Sequence, residues 1–245
     1  MSKWLRRKYT GKFEKKIICF PYAGGSAQIY DKWHDYFAQH AIEVIAVQPP
    51  GRMERLIEPC IDNAPAICDV LISELKALNL LDTPVYVYGH SNGAVNAFEF
   101  MRQLEVANEN TIEHLFLAAR KVPSLPTNPR STMSDNELKN ELKTLNGTPD
   151  DLLNNKEFMD LVLPSFRADF ALGENYQMPK ESDFEVATTF IYGTQESISS
   201  VDTEQWQEYF KHPIGVQTLD AEHFFVNTHR VELFEILSKV LKLRS

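Results

Sequence analysis

Two hydrophobic rhythms alternate along the chain from residue 16 to residue 119. Short runs rich in β-branched and aromatic residues, "KKIICF", "EVIAVQ", "PVYVYG" and "HLFLAA", predict buried strands. Between them, "IYDKWHDYFAQH", "APAICDVLISELKALNL" and "AVNAFEFMRQLEVA" place apolar residues at helical spacing. Strand and helix in turn predict an α/β fold with a mostly parallel central sheet flanked by crossover helices. The alternation resumes with "ATTFIYG", "EQWQEYF", "IGVQTLD" and "RVELFEILSKVLKL".

Residues 121–180 break this rhythm. "VPSLPTNP" is proline-rich, and the amphipathic segments "SDNELKNELKTL" and "PDDLLNNKEFMDLVLPSFRADF" have no strand between them. The segment reads as a helical insertion in a single domain spanning 1–245. Open α/β sheets bind ligands at the carboxyl ends of their strands. An insertion leaving the carboxyl end of "HLFLAA" is therefore placed to act as a lid; the alternative is a helical subdomain that only packs.

Composition narrows the picture. A chain of 245 residues with 43% hydrophobic and 24% charged residues fits one soluble domain. The formal net charge of −9 argues against a nucleic-acid partner. Neither a signal-peptide pattern nor a run of membrane-spanning length is present, so the expected location is cytoplasmic, with no membrane partner. Cys19, Cys60 and Cys68 have neither metal-ligand spacing nor a C-x-x-C pair. No metal and no cofactor is expected, and the protein is expected to be a monomer. The first sixteen residues hold seven Lys/Arg and one Glu. They read either as a solvated edge strand whose lysines discourage edge pairing or as a docking patch for an acidic partner.

The candidate chemistry centres on "YGHSNGA", residues 88–94. Here a G-x-S-x-G pattern follows a strand and opens a helix, the setting in which Ser91 is a nucleophile on a strained turn. A serine hydroxyl needs a base and an acid that orients it. Of the seven histidines, His34, His40 and His229 fall in helical segments, His114 and His212 precede strands, and His90 adjoins the serine. His223, in "QTLDAEHFF", follows the carboxyl end of a strand and so shares the sheet edge of Ser91. The acid is sought between these two, in "GTQESISSVDTEQW". Glu196 lies just past the strand end, whereas Asp202 has a structural explanation as the N-cap of "EQWQEYF". Glu196 is the assignment and Asp202 the alternative. A tetrahedral oxyanion needs two backbone N–H donors. Asn92, after the nucleophile, supplies one, and Ala23 in "PYAGGSA" the other, with Gly24 and Gly25 shaping that loop.

Taken together, these motifs resemble the type II thioesterases of non-ribosomal peptide and polyketide assembly lines. "FPYAGGSA", "VQPPGRMERL", "YGHSNGA", "LNGTPDDLL", "LPSFRADF", "IYGTQES" and "AEHFF" occur in that family's order and spacing over nearly the whole chain. The resemblance implies an α/β-hydrolase fold with a helical lid. It also implies hydrolysis of acyl groups from the phosphopantetheine arm of carrier proteins, a role in editing antibiotic assembly lines; a small-ester or product-releasing hydrolase is the alternative. Three departures stand out: Asn92 replaces the usual methionine after the nucleophile, Glu196 replaces the usual aspartate, and "AARKVP" matches a small-residue and arginine turn only approximately. For an acidic carrier, the expected docking cations are Arg120, Lys121 and the cluster Lys3, Arg6, Arg7 and Lys8.

Overall fold

The computed structural model describes residues 2–109, 111–180 and 182–243. Among these residues seven strands form one sheet: β1 (Leu5–Arg6), β2 (Lys15–Phe20), β3 (Ile42–Val47), β4 (Val85–His90), β5 (Ile112–Ala118), β6 (Thr188–Gly193) and β7 (Gly215–Leu219). Their spatial order is β1-β3-β2-β4-β5-β6-β7. All neighbours run parallel except β1, which pairs antiparallel with β3 through Leu5 opposite Val47.

The strands are continuous hydrophobic runs because both faces of the sheet are covered. Neighbouring residues of β2 point to opposite sides, so Ile18 and Phe20 join the core beneath α2 (Ala64–Ala77) and α3 (Asn92–Val106), with Leu71 and Phe98. Ile17 and Cys19 enter the other core, beneath α1 (Asp31–Ala38) and α9 (Arg230–Leu241), with Trp33 and Leu237. Burial at the usual ~25 cal/mol per Å² of apolar surface makes these two layers the main source of stability.

Between β5 and β6 the chain leaves the sheet and forms α4 (Asp135–Thr144), α5 (Asp150–Leu153) and α6 (Lys156–Asn175). These helices have an apolar cluster of their own, formed by Leu138, Leu142, Leu153, Met159 and Leu163. The second helical segment expected from the sequence is divided in two. The Asn155 side chain accepts the Phe158 amide at 3.0 Å and caps a new helix. The new helix then runs past residue 170 to Asn175, with Pro164 inside it.

Two other local readings change. α7 spans Ser200–Gln207, starting four residues before the expected "EQWQEYF". Its N-cap is Ser199, and Asp202 is the reciprocal third-position partner, accepting the Ser199 amide at 2.8 Å. At the amino terminus, each of the four cations assigned to docking already faces a carboxylate of the chain. Lys3 pairs with Glu58 at 3.0 Å, Arg6 with Asp31 at 2.8 Å, Arg7 with Glu43 at 2.5 Å and Lys8 with Asp35 at 2.6 Å. The cluster is locally neutralised and fastens the edge strand to the body of the domain. No helix among the described residues is long and apolar enough to cross a membrane.

Candidate functional site

Ser91 sits on the turn from β4 into α3 with φ 53° and ψ −118°, a conformation that costs a non-glycine residue of order 1–3 kcal/mol. The surroundings enforce it. The Ser91 amide donates to the Ala118 carbonyl at the end of β5 at 2.8 Å. The strand and helix approach so closely that a Cβ on Gly89 would lie 2.2 Å from the Gly93 carbonyl oxygen, and one on Gly93 would lie 2.2 Å from that of Phe20. Both flanking glycines are therefore steric requirements of the turn.

The loop after β7 brings His223 to this serine, with Nε2 2.9 Å from Ser91 Oγ. The loop after β6 brings Glu196, whose Oε2 lies 2.6 Å from His223 Nδ1. The other carboxylate oxygen of Glu196 accepts the Gly193 amide at 2.9 Å, which fixes the side chain. With the carboxylate accepting, Nδ1 carries the proton, and Nε2 is left as the acceptor for the serine hydroxyl. Asp202 takes no part in this chain of bonds. It is occupied by Ser199 and by Lys121 at 3.4 Å.

His90 is fully buried and holds the loop of His223. Its Nε2 donates to the His223 backbone carbonyl at 2.8 Å, so its Nδ1 accepts from the Tyr88 hydroxyl at 3.1 Å. Burial, together with the neighbouring His223 ring, lowers its pKa to about 3 and keeps it neutral. His114 lies inside β5, away from the site, where Nε2 meets Thr189 Oγ1 at 2.8 Å.

Ser91, His223, Ala23 and Asn92 line a cavity of about 1080 Å³. Its opposite wall is the helical insertion, including Leu142, Leu152, Phe158, Val162 and Phe166. Among the described residues, neither the Ala23 nor the Asn92 backbone amide has a protein acceptor. The Asn92 side chain donates to the Asp169 carbonyl of α6 at 2.9 Å. Arg120 is also in the wall; it donates to the Gly173 carbonyl at 3.1 Å, and burial lowers its pKa to about 10.

Sequence reading assigned no role to Arg52 or Asp169, although both lie in quoted motifs. They form a buried two-pronged pair, Arg52 Nη1 to Asp169 Oδ2 at 2.6 Å and Nη2 to Oδ1 at 2.9 Å. Burial opposes the charge of Arg52, but the adjoining carboxylate outweighs it and the guanidinium pKa is raised. The available signal was the helical spacing of Phe166, Asp169 and Gly173, which puts three dissimilar residues on one face.

A mostly parallel sheet covered on both faces, with a serine turn and a histidine loop at one edge under inserted helices, is the architecture of an α/β-hydrolase. The model of the thioesterase domain family matches residues 15–241, and the chain belongs to that family, whose activity is thioester hydrolysis. It is 31% identical to the gramicidin S biosynthesis protein GrsT of Aneurinibacillus migulanus over 99% of this chain and 95% of that one. It is 29% identical to thioesterase TesA of Mycobacterium marinum over 93% of each. Among solved structures, the type II thioesterase BorB from the borrelidin biosynthetic cluster superposes with a TM-score of 0.85 at 29% identity, covering 97% of both chains.

Proposed function

We propose that the protein is a serine thioesterase acting in trans on acyl or aminoacyl groups held on the phosphopantetheine arm of carrier proteins, in the editing of a peptide or polyketide assembly line. The observation that carries this reading is the unbroken hydrogen-bond chain Ser91, His223, Glu196, open to a cavity of about 1080 Å³ beneath the inserted helices. That volume exceeds what a short acyl group needs and leaves room for part of a pantetheine arm. The relatives named for gramicidin S and borrelidin biosynthesis support the assembly-line setting.

In this reading Ser91 Oγ attacks the thioester carbonyl carbon while His223 Nε2 takes its proton. The carbonyl electrons move onto oxygen, which accepts hydrogen bonds from the Ala23 and Asn92 amides. Collapse breaks the carbon–sulfur bond, and His223 returns the proton to the departing thiolate. Water, deprotonated by His223, then attacks the acyl-serine and releases the carboxylic acid and the serine hydroxyl. Glu196 holds the imidazole in the required tautomer and stabilises its cation. The inserted helices act as a lid that excludes bulk water.

The test presents one acyl group on a holo-carrier protein, on coenzyme A and on a simple oxygen ester. The carrier substrate is expected to have the highest kcat/KM, and Ser91→Ala to abolish turnover of all three. Equal efficiency on carrier and ester would instead favour a small-ester hydrolase, and activity retained by Ser91→Ala would remove the serine from its assigned role.

A further inference from the structure

One face of α6 touches both halves of the proposed oxyanion site. Phe166, Asp169 and Gly173 follow one another at spacings of three and four residues, so they form a single stripe on the helix. The Phe166 ring lies against Gly24, whose φ is +74°; a Cβ there would come within 2.0 Å of the ring. The Asp169 carboxylate accepts the Gly24 amide at 2.7 Å, one residue along from the Ala23 amide. The Asp169 backbone carbonyl accepts from the Asn92 side chain at 2.9 Å. At Gly173 the helix comes so close that a Cβ would lie 2.2 Å from Asn92 Oδ1. Thus the inserted helix reaches the loop that presents the Ala23 amide and the residue that presents the Asn92 amide, through adjacent turns.

We infer that Asp169 is a positioning residue that assembles the oxyanion site, so that the site is complete only when α6 is seated on the sheet edge. The physical reason lies in the geometry of the Ala23–Gly24 loop. A two-glycine turn has little conformational restraint of its own. Oxyanion donors act only when held about 2.7–3.1 Å from the developing oxyanion, to within about 0.5 Å of the productive geometry. Gly25 is held by its amide to the Tyr22 carbonyl at 2.9 Å and by Arg52 Nη1 to its own carbonyl at 3.1 Å; the Asp169 carboxylate adds the restraint at the Gly24 amide, and Arg52 locks that carboxylate with two further bonds. The lid thereby controls the chemical step as well as access to the serine: a displaced α6 leaves Ser91, His223 and Glu196 in place but withdraws the acceptor that aims the Ala23 amide. This inference rests on the serine mechanism proposed above.

The experiment compares two double variants, Asp169→Asn with Arg52→Gln and Asp169→Ala with Arg52→Gln. Both lack the buried ion pair, so the cost of losing it is shared. Only the first retains a side-chain oxygen able to accept the Gly24 amide. On a small acyl thioester the alanine pair is expected to show kcat about tenfold or more below the asparagine pair, with KM within about twofold. Affinity for a trifluoromethyl ketone analogue, which forms an oxyanion on Ser91, should fall in the same proportion. Equal kcat for the two pairs, or a difference confined to KM, would overturn the inference. Gly173→Ala gives an independent route should the double variants unfold. Its methyl group lifts the helix from Asn92 and is expected to lower kcat and analogue affinity together, whereas unchanged values would again overturn the inference. Ser91→Ala in the otherwise unaltered chain separates the two readings. Turnover that survives it defeats the serine mechanism, whereas serine-dependent turnover with no difference between the double variants defeats only the role of Asp169.

Discussion

The imidazole of His90 donates through Nε2 to the backbone carbonyl of His223 at 2.8 Å, so the residue preceding Ser91 fastens the loop that carries its hydrogen-bond partner. Because that carbonyl can only accept, Nε2 carries the proton, and the Tyr88 hydroxyl, 3.1 Å from Nδ1, donates to the other ring nitrogen. His90→Phe keeps a ring in the buried space but leaves the carbonyl without a donor, at a cost of about 1–3 kcal/mol. It is expected to lower kcat about tenfold or more with little change in KM, because the imidazole of His223 loses its alignment rather than the cavity its shape. Steady-state kinetics on a small thioester, beside urea unfolding, check both parts. Unchanged kcat would mean that Glu196 alone positions His223.

Acid should destabilise the fold through the buried His90 and the half-buried His114. Burial, with His223 adding to it, lowers the pKa of His90 to about 3, and burial lowers that of His114 to about 4, against an ordinary value of 6.5. Between those values the unfolded chain binds protons that the folded chain does not, so stability rises with pH. The contribution is fully present above about pH 6.5 and is lost as pH falls toward 4 and then 3. Urea midpoints measured at pH 7.5 and pH 4.5 should therefore fall with acidification. His114→Gln, with an amide to meet Thr189, should make that fall shallower, and an unaltered pH dependence would show that His114 titrates normally.

The strained backbone at Ser91 predicts opposite effects on stability and activity. At φ 53° and ψ −118° a glycine relieves the steric cost of the side chain. Ser91→Gly is expected to abolish turnover and to raise stability by about 1 kcal/mol, after allowance for the greater entropy of its unfolded chain. Urea unfolding of the two proteins checks this, and a loss of stability would show that the Ser91 side chain contributes to packing.

Glu196 and Asp202 should separate cleanly. Glu196→Gln replaces an acceptor of the Nδ1 proton by an amide that can present its donor, favouring the wrong tautomer, and should lower kcat by about two orders of magnitude or more. Asp202→Ala removes the partner of Ser199 and of Lys121 at the start of α7. It should cost about 1 kcal/mol of stability with kcat nearly intact. The reverse pattern would exchange their roles.

Local pattern alone predicted strands β2 to β7, most of the helices between them and a break in the alternation after β5, because each is written in hydrophobic spacing over a few residues. The same reading placed Ser91, His223 and Glu196 at one edge, since chain direction in a parallel sheet puts every strand-following loop on the same side. It misplaced the start of α7, because Ser199 and Asp202 form a cap as readily as the later residues and only the path out of β6 selects between them. Composition made the amino-terminal cations look available, yet their partners Asp31, Asp35, Glu43 and Glu58 lie 25 to 55 residues further along the chain, within reach only once β1 is laid beside β3. Tertiary structure likewise decided the meeting of Asp169 with Gly24 and Arg52 and the turn of the Asn92 side chain toward α6. Spacing along a strand or helix specifies which side a residue faces. Which distant backbone amide or charge that side meets depends on how a separate helix is seated on the sheet, and no local periodicity encodes that docking.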